Sequence, residues 1–290
     1  MAIGSLITAS DYNAIQSKIA TILGNGVAQS GYGQVLNSSQ VPIEKTINSN
    51  DIEVLRLDSI KAYAHQTGSL PALPTVSIGD EIPYSVYQTY ATVANSIYTN
   101  KNLINIATQA SVENKLTSSR STIWGGVSTV QKISHEFSVI FSSVDARRHF
   151  FNAGGEIRFA ASIINGTGAK VNAWAGMFTS MGIVKFSYNA TSASSGTGTS
   201  IGNFNLVSAY QTVFIKSGTS TYSDNYISIK AKGDQSINVV SFLIEFYDGI
   251  SNLYDEAVNG TITSSVSQLR PTGVYVSVPS PTYANLATLS

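Results

Sequence analysis

No cysteine occurs among the 290 residues, which removes disulfides, thiolate nucleophiles and thiolate zinc sites together. The fold is expected to stand on packing alone. Charge is scarce as well: Asp, Glu, Lys and Arg make up 12% of the chain, and 17 cationic residues cancel 17 acidic ones. Without an excess of positive charge there is no general means of displacing counterions from phosphates, so nucleic acid is not an expected partner. Long apolar runs are missing too. None approaches the ~18 residues that would suggest a membrane span, and no basic segment precedes an apolar stretch near the N-terminus. The chain is therefore expected to be made in a cytosol and to stay soluble. Histidine is limited to three residues, His65, His135 and His149, with no partner at metal-ligand spacing and no H-E-x-x-H. Neither a G-x-S-x-G elbow nor a Walker A loop occurs, and Gly24-Asn-Gly26 lacks the third glycine of a dinucleotide cradle.

What is present argues for a packed protein. Hydrophobic residues make up 43% and aromatics 10%, and the length predicts two domains. A near-neutral surface rich in Ser, Thr, Asn and Tyr predicts faces covered by other subunits. Four Asn-x-Ser/Thr matches, at Asn37, Asn165, Asn189 and Asn259, carry no weight in so Ser/Thr-rich a chain.

The first hundred residues repeat a phrase. Ile7-Thr-Ala-Ser-Asp11 returns as Ile47-Asn-Ser-Asn-Asp51 and more loosely as Val76-Ser-Ile-Gly-Asp80. Thr8, Asn48 or Ser77 can act as N-cap, with the aspartate three residues on reaching back to free N–H groups as a capping box. Ile7 with Tyr12, and Ile47 with Ile52, have the spacing of a hydrophobic staple. The spacing predicts helices over about 11–23 and 51–66. A third starts later, with Pro83 in its first turn and Val86, Tyr90, Val93, Ile97 and Ile104 near three-and-four spacing. That seam is expected to face the two neighbouring helices, an intermolecular coil being the alternative.

Beyond residue 120 the pattern alternates. Ile133, His135, Phe137, Val139 and Phe141 take one side of 130–142, the period of a half-buried strand. Further strands are predicted over 156–164, 183–188, 210–216, 226–231, 237–247, 261–266 and 274–278, with short helices over 144–152 and 171–181. The fold class is thus α+β, with a small N-terminal helical domain (1–110, for assembly or docking). An antiparallel β-sandwich or jelly-roll-like domain (115–290) with two short inserted helices follows.

The stretch DARRHFFNAGGEIRF, Asp145 to Phe159, has the residues of either a site or a joint. Read as a joint, Ser143 or Asp145 caps a helix whose Phe150 and Phe151 face the sheet. Asn152, Gly154 and Gly155 then supply a left-handed turn into the next strand. Arg147, Arg148 and His149 fall in the last turn, where cations bond free carbonyls. His135 is expected to be buried or interfacial, with a hydrogen-bond partner. Asp248, Asp255 and Glu256 could be drawn as a cation site or a glycosidase carboxylate pair, but a polar loop explains them with less. No catalytic, cofactor-binding or metal residue is expected, and binding residues stay unassigned.

Several segments resemble virion structural, tail-fibre-like proteins of tailed phages that infect cyanobacteria and marine bacteria. They are ITASDYNAIQ near the start, AQSGYGQ at Ala28–Gln34, FFNAGGEIRF at Phe150–Phe159, MFTSMGIVKF with SAYQTVF, and SVSQLRPTG at Ser265–Gly273. The resemblance implies a nonenzymatic component of the virion, in the tail, baseplate or a fibre or neck appendage, whose partners are copies of itself and other virion proteins. It transfers no site residue. A glycan- or receptor-binding module of a tail fibre, with loop tyrosines such as Tyr222 and Tyr226, is the alternative, and an envelope-degrading enzyme a third reading. The Ser/Gly-rich segment Asn189–Gly202 sets this chain apart, as a contact surface or an exposed tip.

Overall fold

The structure is a computed structural model and describes residues 7–105, 109–249 and 256–289. It divides into two units: residues 1–111 with 148–154 and 270–279, and residues 112–147 with 155–269 and 280–290.

The first unit is built on α1 (Ala9–Leu23), α2 (Ser49–Thr67) and α3 (Tyr84–Thr99), each packed on the other two. Both full capping boxes form: Asp11 N–H donates to Thr8 Oγ1 while Thr8 N–H donates to Asp11, and Asn48 and Asp51 repeat the exchange. The third copy of the phrase starts no helix. Ser77 N–H donates to Asp80 at 3.0 Å, but Gly79 sits at φ +93°, which closes a turn instead. Pro83 is the N-cap of α3 rather than a first-turn residue, and Ile104 lies beyond its end. Tyr12, Ile15, Ile19 and Ile22 of α1 are buried along with Ile52, Leu55 and Ala62 of α2 and Tyr90, Ala94 and Ile97 of α3. Each large apolar side chain so buried contributes ~1.5–3 kcal/mol.

The long connection between α1 and α2 has no regular structure, so side chains satisfy its backbone. Asn13 of α1 exchanges two 2.8 Å bonds with Val41. Asp58 of α2, wholly buried, accepts from the backbone and side chains of both Asn37 and Ser38 at 2.7–3.0 Å.

The second unit carries two antiparallel sheets. One, in the order β1-β10-β3-β4-β5, uses β1 (Ala110–Arg120), β10 (Thr261–Pro271), β3 (Glu156–Ile164), β4 (Val184–Phe186) and β5 (Thr191–Ser192). The other, β11-β2-β9-β8-β7-β6, uses β11 (Thr282–Ala287), β2 (Lys132–Ile140), β9 (Val239–Tyr247), β8 (Tyr226–Gly233), β7 (Gln211–Ser217) and β6 (Thr197–Gly198). They face each other through aromatics: Phe242 of β9 meets Phe159 of β3 at 5.1 Å and Phe186 of β4 at 5.0 Å. Two short helices are inserted, α4 (Val144–Asn152) between β2 and β3 and α5 (Ala169–Met181) between β3 and β4; α5 packs on β3 and β7. The chain is α+β with helices preceding a sandwich-like pair of sheets, as the patterning predicts.

Individual elements differ from expectation. Residues 274–278 are not a strand; Thr272 and Ser277 make one isolated bridge, and Val274 is 96% exposed. β1, β5, β6 and β11 are strands the patterning does not single out. Asn189–Gly202 holds β5 and β6, one at an edge of each sheet, with an isolated Thr191–Thr199 bridge, and Asn189, Ser192, Ser194, Gly196, Thr197 and Ser200 are exposed along it.

Candidate functional site

The segment from Asp145 to Phe159 resolves as a joint. Ser143 Oγ accepts from Ala146 N–H at 3.0 Å and opens α4, so serine is the cap and Asp145 sits in the first turn. Phe150 and Phe151 are buried and meet edge to face, with centroids 5.2 Å apart. Of the expected left-handed residues only Gly154 has a positive φ, +90°, and a β-carbon there would lie 2.7 Å from Ile104. Backbone geometry and a close neighbour both demand glycine.

The basic triplet donates to carbonyls outside its own helix, which departs from the capping expectation. Arg147 is 2% exposed; its Nε–H donates to Asn203 Oδ1 at 2.7 Å and its Nη1 to the carbonyls of Asp234, Ile237 and Val239 at 2.6, 2.9 and 3.3 Å. Arg148 Nη2 donates to Asn25 O at 2.8 Å, and His149 Nε2–H donates to the same carbonyl at 2.9 Å. Successive side chains on a helix diverge by ~100°, so three neighbours cannot share one row of carbonyls. Arg147 and His149 donate to separate acceptors.

His135 is buried, and both ring nitrogens are satisfied. Nε2–H donates to Asn285 Oδ1 at 2.9 Å, which leaves Nδ1 to accept from Ser264 O–H at 3.0 Å. Burial pushes its pKa below the ordinary value against the opposing pull of Asn285. His65 of α2 is buried as well; its Nε2–H donates to Ala153 O at 3.0 Å, and Tyr32 packs edge-on at 5.0 Å. Burial pushes its pKa down to about 4 despite the Ala153 bond. The unfolded chain thus binds the proton first, so stability is full above pH ~6.5 and falls as pH drops towards about 4. On the order of 3 kcal/mol is lost over that window. His65→Gln keeps a donor without a titration, and unfolding free energies at pH 7 and 4.5 should differ less in that variant than in wild type.

Asp248 is not the solvated loop carboxylate that the sequence reading expects. Asp255 lies outside the described residues, and Glu256 is exposed. Asp248 is fully buried in an ion pair with Lys170 Nζ at 2.8 Å, and neither side chain has any exposure. It also accepts from Trp174 Nε1–H at 3.2 Å and Gly126 N–H at 3.0 Å. Gly125, at φ +66°, passes so close that a β-carbon would fall 2.5 Å from Asp248 Oδ2. Among the described residues no group of three His, Cys, Asp or Glu side chains could hold a metal ion.

The two outward sheet faces differ. On the six-stranded sheet charges neutralise one another in plane: Glu245 is flanked by Lys132 at 3.0 Å and Lys230 at 2.7 Å, and Tyr210 O–H donates to Glu136 at 2.6 Å. Burial works to raise the Glu245 pKa, but the two lysines outweigh it and hold the carboxyl below its ordinary range. Tyr226 is a strand residue stacked on its cross-strand partner Tyr247 at 4.9 Å, not a loop residue; Tyr222 sits in a short 3-10 turn.

On the five-stranded sheet, Ser264 bonds His135 in the interior, so Thr263, Ser265 and Ser267 point outward. Their register partners on β3 are Ser162, Ala160 and Arg158. Arg158 is paired with Glu156 at 2.7 Å; the other side chains are short and uncharged. A cleft of about 520 Å³ runs there, lined by Val112, Asn114, Thr117, Ala160, Ile183 and Ser265 among others. Val112, Ile164 and Ile183 are 59%, 58% and 45% exposed. Sequence reasoning assigned no role to this face, although the alternation of small residues in ITSSVSQ (262–268) was available as a signal.

No protein-family model matches the chain, and neither does any curated protein or solved structure.

Proposed function

We propose that the chain is a nonenzymatic structural component of a bacteriophage virion, in the tail, baseplate or a fibre or neck appendage, working through protein–protein contacts. The observation that carries this reading is the outward face of the five-stranded sheet. Solvated antiparallel faces are normally dressed with long polar and charged side chains. Here Ala160, Ser162, Thr263, Ser265 and Ser267 leave the middle of the sheet short-chained, between Arg158 and Lys185 at one end and exposed Val112, Ile164 and Ile183. Such a face suits close approach by another protein surface. The reading also draws on the resemblance of ITASDYNAIQ and FFNAGGEIRF to virion proteins, and on the absorption of Arg147, His135 and Asp248 into internal bonding.

In a closed assembly the same patch recurs on every copy. The purified protein is expected to be a symmetric oligomer by native mass spectrometry and to appear among the proteins of purified particles. Ser265→Glu, a charge on the short-chained face, should dissociate the oligomer while leaving the circular dichroism spectrum unchanged. A monodisperse wild-type monomer that is missing from particles rejects the proposal. Glycan reading by the tyrosines has weaker support, since Tyr226 and Tyr247 each give one ring face to the other.

A further inference from the structure

The Lys170–Asp248 pair is built more tightly than an ion pair requires. Lys170 stands in the first turn of α5 and Asp248 directly follows β9, 78 residues away, and both side chains are shut off from solvent. Around them Trp174 packs against Trp124 at 5.1 Å, Phe178 at 5.5 Å and Phe246 at 6.4 Å. A primary amine and a carboxylate lie at 2.8 Å in a dry aromatic pocket, with the carboxylate orientation fixed by two further donors. Condensation of such a pair begins with one proton moving from the ammonium to the carboxylate, which places an amine and a carboxylic acid in contact.

We propose that Lys170 and Asp248 condense into an intramolecular amide crosslink. The proton on Nζ passes to Oδ2, and the freed nitrogen lone pair attacks Cγ to form the Nζ–Cγ bond. Negative charge then develops on Oδ1, the oxygen that accepts the Trp174 Nε1–H bond. A second proton moves from nitrogen to Oδ2, the Cγ–Oδ2 bond breaks and one water leaves. Ammonium and carboxylate give an amide and water, so atoms and charge balance without a co-reactant. Oδ1 becomes the amide oxygen, still held by Trp174. Fixed geometry at contact distance supplies the effective concentration that such a condensation needs. In a chain with no cysteine, the bond ties α5 to the end of β9 as a disulfide would elsewhere.

The test is the intact mass of the purified full chain, followed by a tryptic map with fragmentation. The crosslinked protein is expected to weigh about 18 Da less than its sequence, one water. Trypsin should fail to cut after Lys170 and release a branched peptide joining it to Asp248. Lys170→Met should restore the full mass; if that variant does not fold, the wild-type map decides alone. Full mass with Lys170 and Asp248 in separate linear peptides overturns the proposal. So does a deficit confined to one linear peptide across Asp248-Gly249, which would be a succinimide.

Discussion

Arg147→Met is expected to lower the unfolding free energy by ~3–5 kcal/mol, the loss typical when a buried charged partner is removed from its acceptors. The guanidinium holds the 234–238 connection and the start of β9 by donating to the carbonyls of Asp234, Ile237 and Val239, and Asn203 by its amide oxygen. Methionine fills much of the volume but donates nothing, so these buried oxygens face an apolar chain. Burial lowers the Arg147 pKa to about 10, which still leaves it charged at neutral pH. Arg147→Lys should recover less than half of the loss, because one ammonium cannot span acceptors that a planar fork reaches together. Thermal and urea unfolding of the three proteins measures this, with a fall in midpoint on the order of 10 °C for the methionine variant. Unchanged midpoints would mean that the connection finds its acceptors' partners in water.

Asp58→Ala should destabilise the first unit by a comparable ~3–5 kcal/mol. One fully buried carboxylate organises the 37–38 corner, taking both backbone N–H groups, the Asn37 amide and the Ser38 hydroxyl, with Lys61 at 3.6 Å as its partly exposed countercharge. Removing it leaves four donors pointing at a void. Asp58→Asn should lose ~2–3 kcal/mol, since its NH2 group faces donors where an acceptor is needed. Hydrogen exchange at the amides of Asn37 and Ser38 reads the effect locally: both are expected to lose protection in the alanine variant. Retained protection there would show that the corner is held by other means.

Much of the architecture was legible because local rules and tertiary packing agree. Thr8–Asp11 and Asn48–Asp51 form the capping boxes their spacing announces, and Ile133 to Phe141 bury the alternate side chains their period selects. The misses have particular causes. Pro83, expected in the first turn of the third helix, is the N-cap of α3 instead, held extended at φ −62° and ψ 149°. β1, written ASVENKLTSSR, lies at a sheet edge and has only Ala110, Val112 and Leu116 as apolar residues, and its burial alternates poorly along the strand. Val274–Val278 has the composition of a strand and yet only a single bridge.

The side-chain bonding was the least legible layer. Arg147 finds carbonyls 87 to 92 residues away, and a carbonyl has no letter in the sequence. Asp248 read as a loop carboxylate because its partner Lys170 lies 78 residues upstream, in a helix chosen for its apolar residues. The short-chained sheet face went unassigned for a related reason: Ala160 and Ser265 become neighbours only through the β3–β10 register.

The strand order also bears on biosynthesis. β10 lies between β1 and β3, and β11 completes the edge beside β2. A nascent chain therefore carries β1, β2 and β3 with open hydrogen-bonding edges until residues 261–287 have left the ribosome. Premature termination anywhere before residue 261 should yield aggregates or proteolytic fragments rather than a smaller soluble sandwich, and productive folding of this unit must wait until translation of those residues is done.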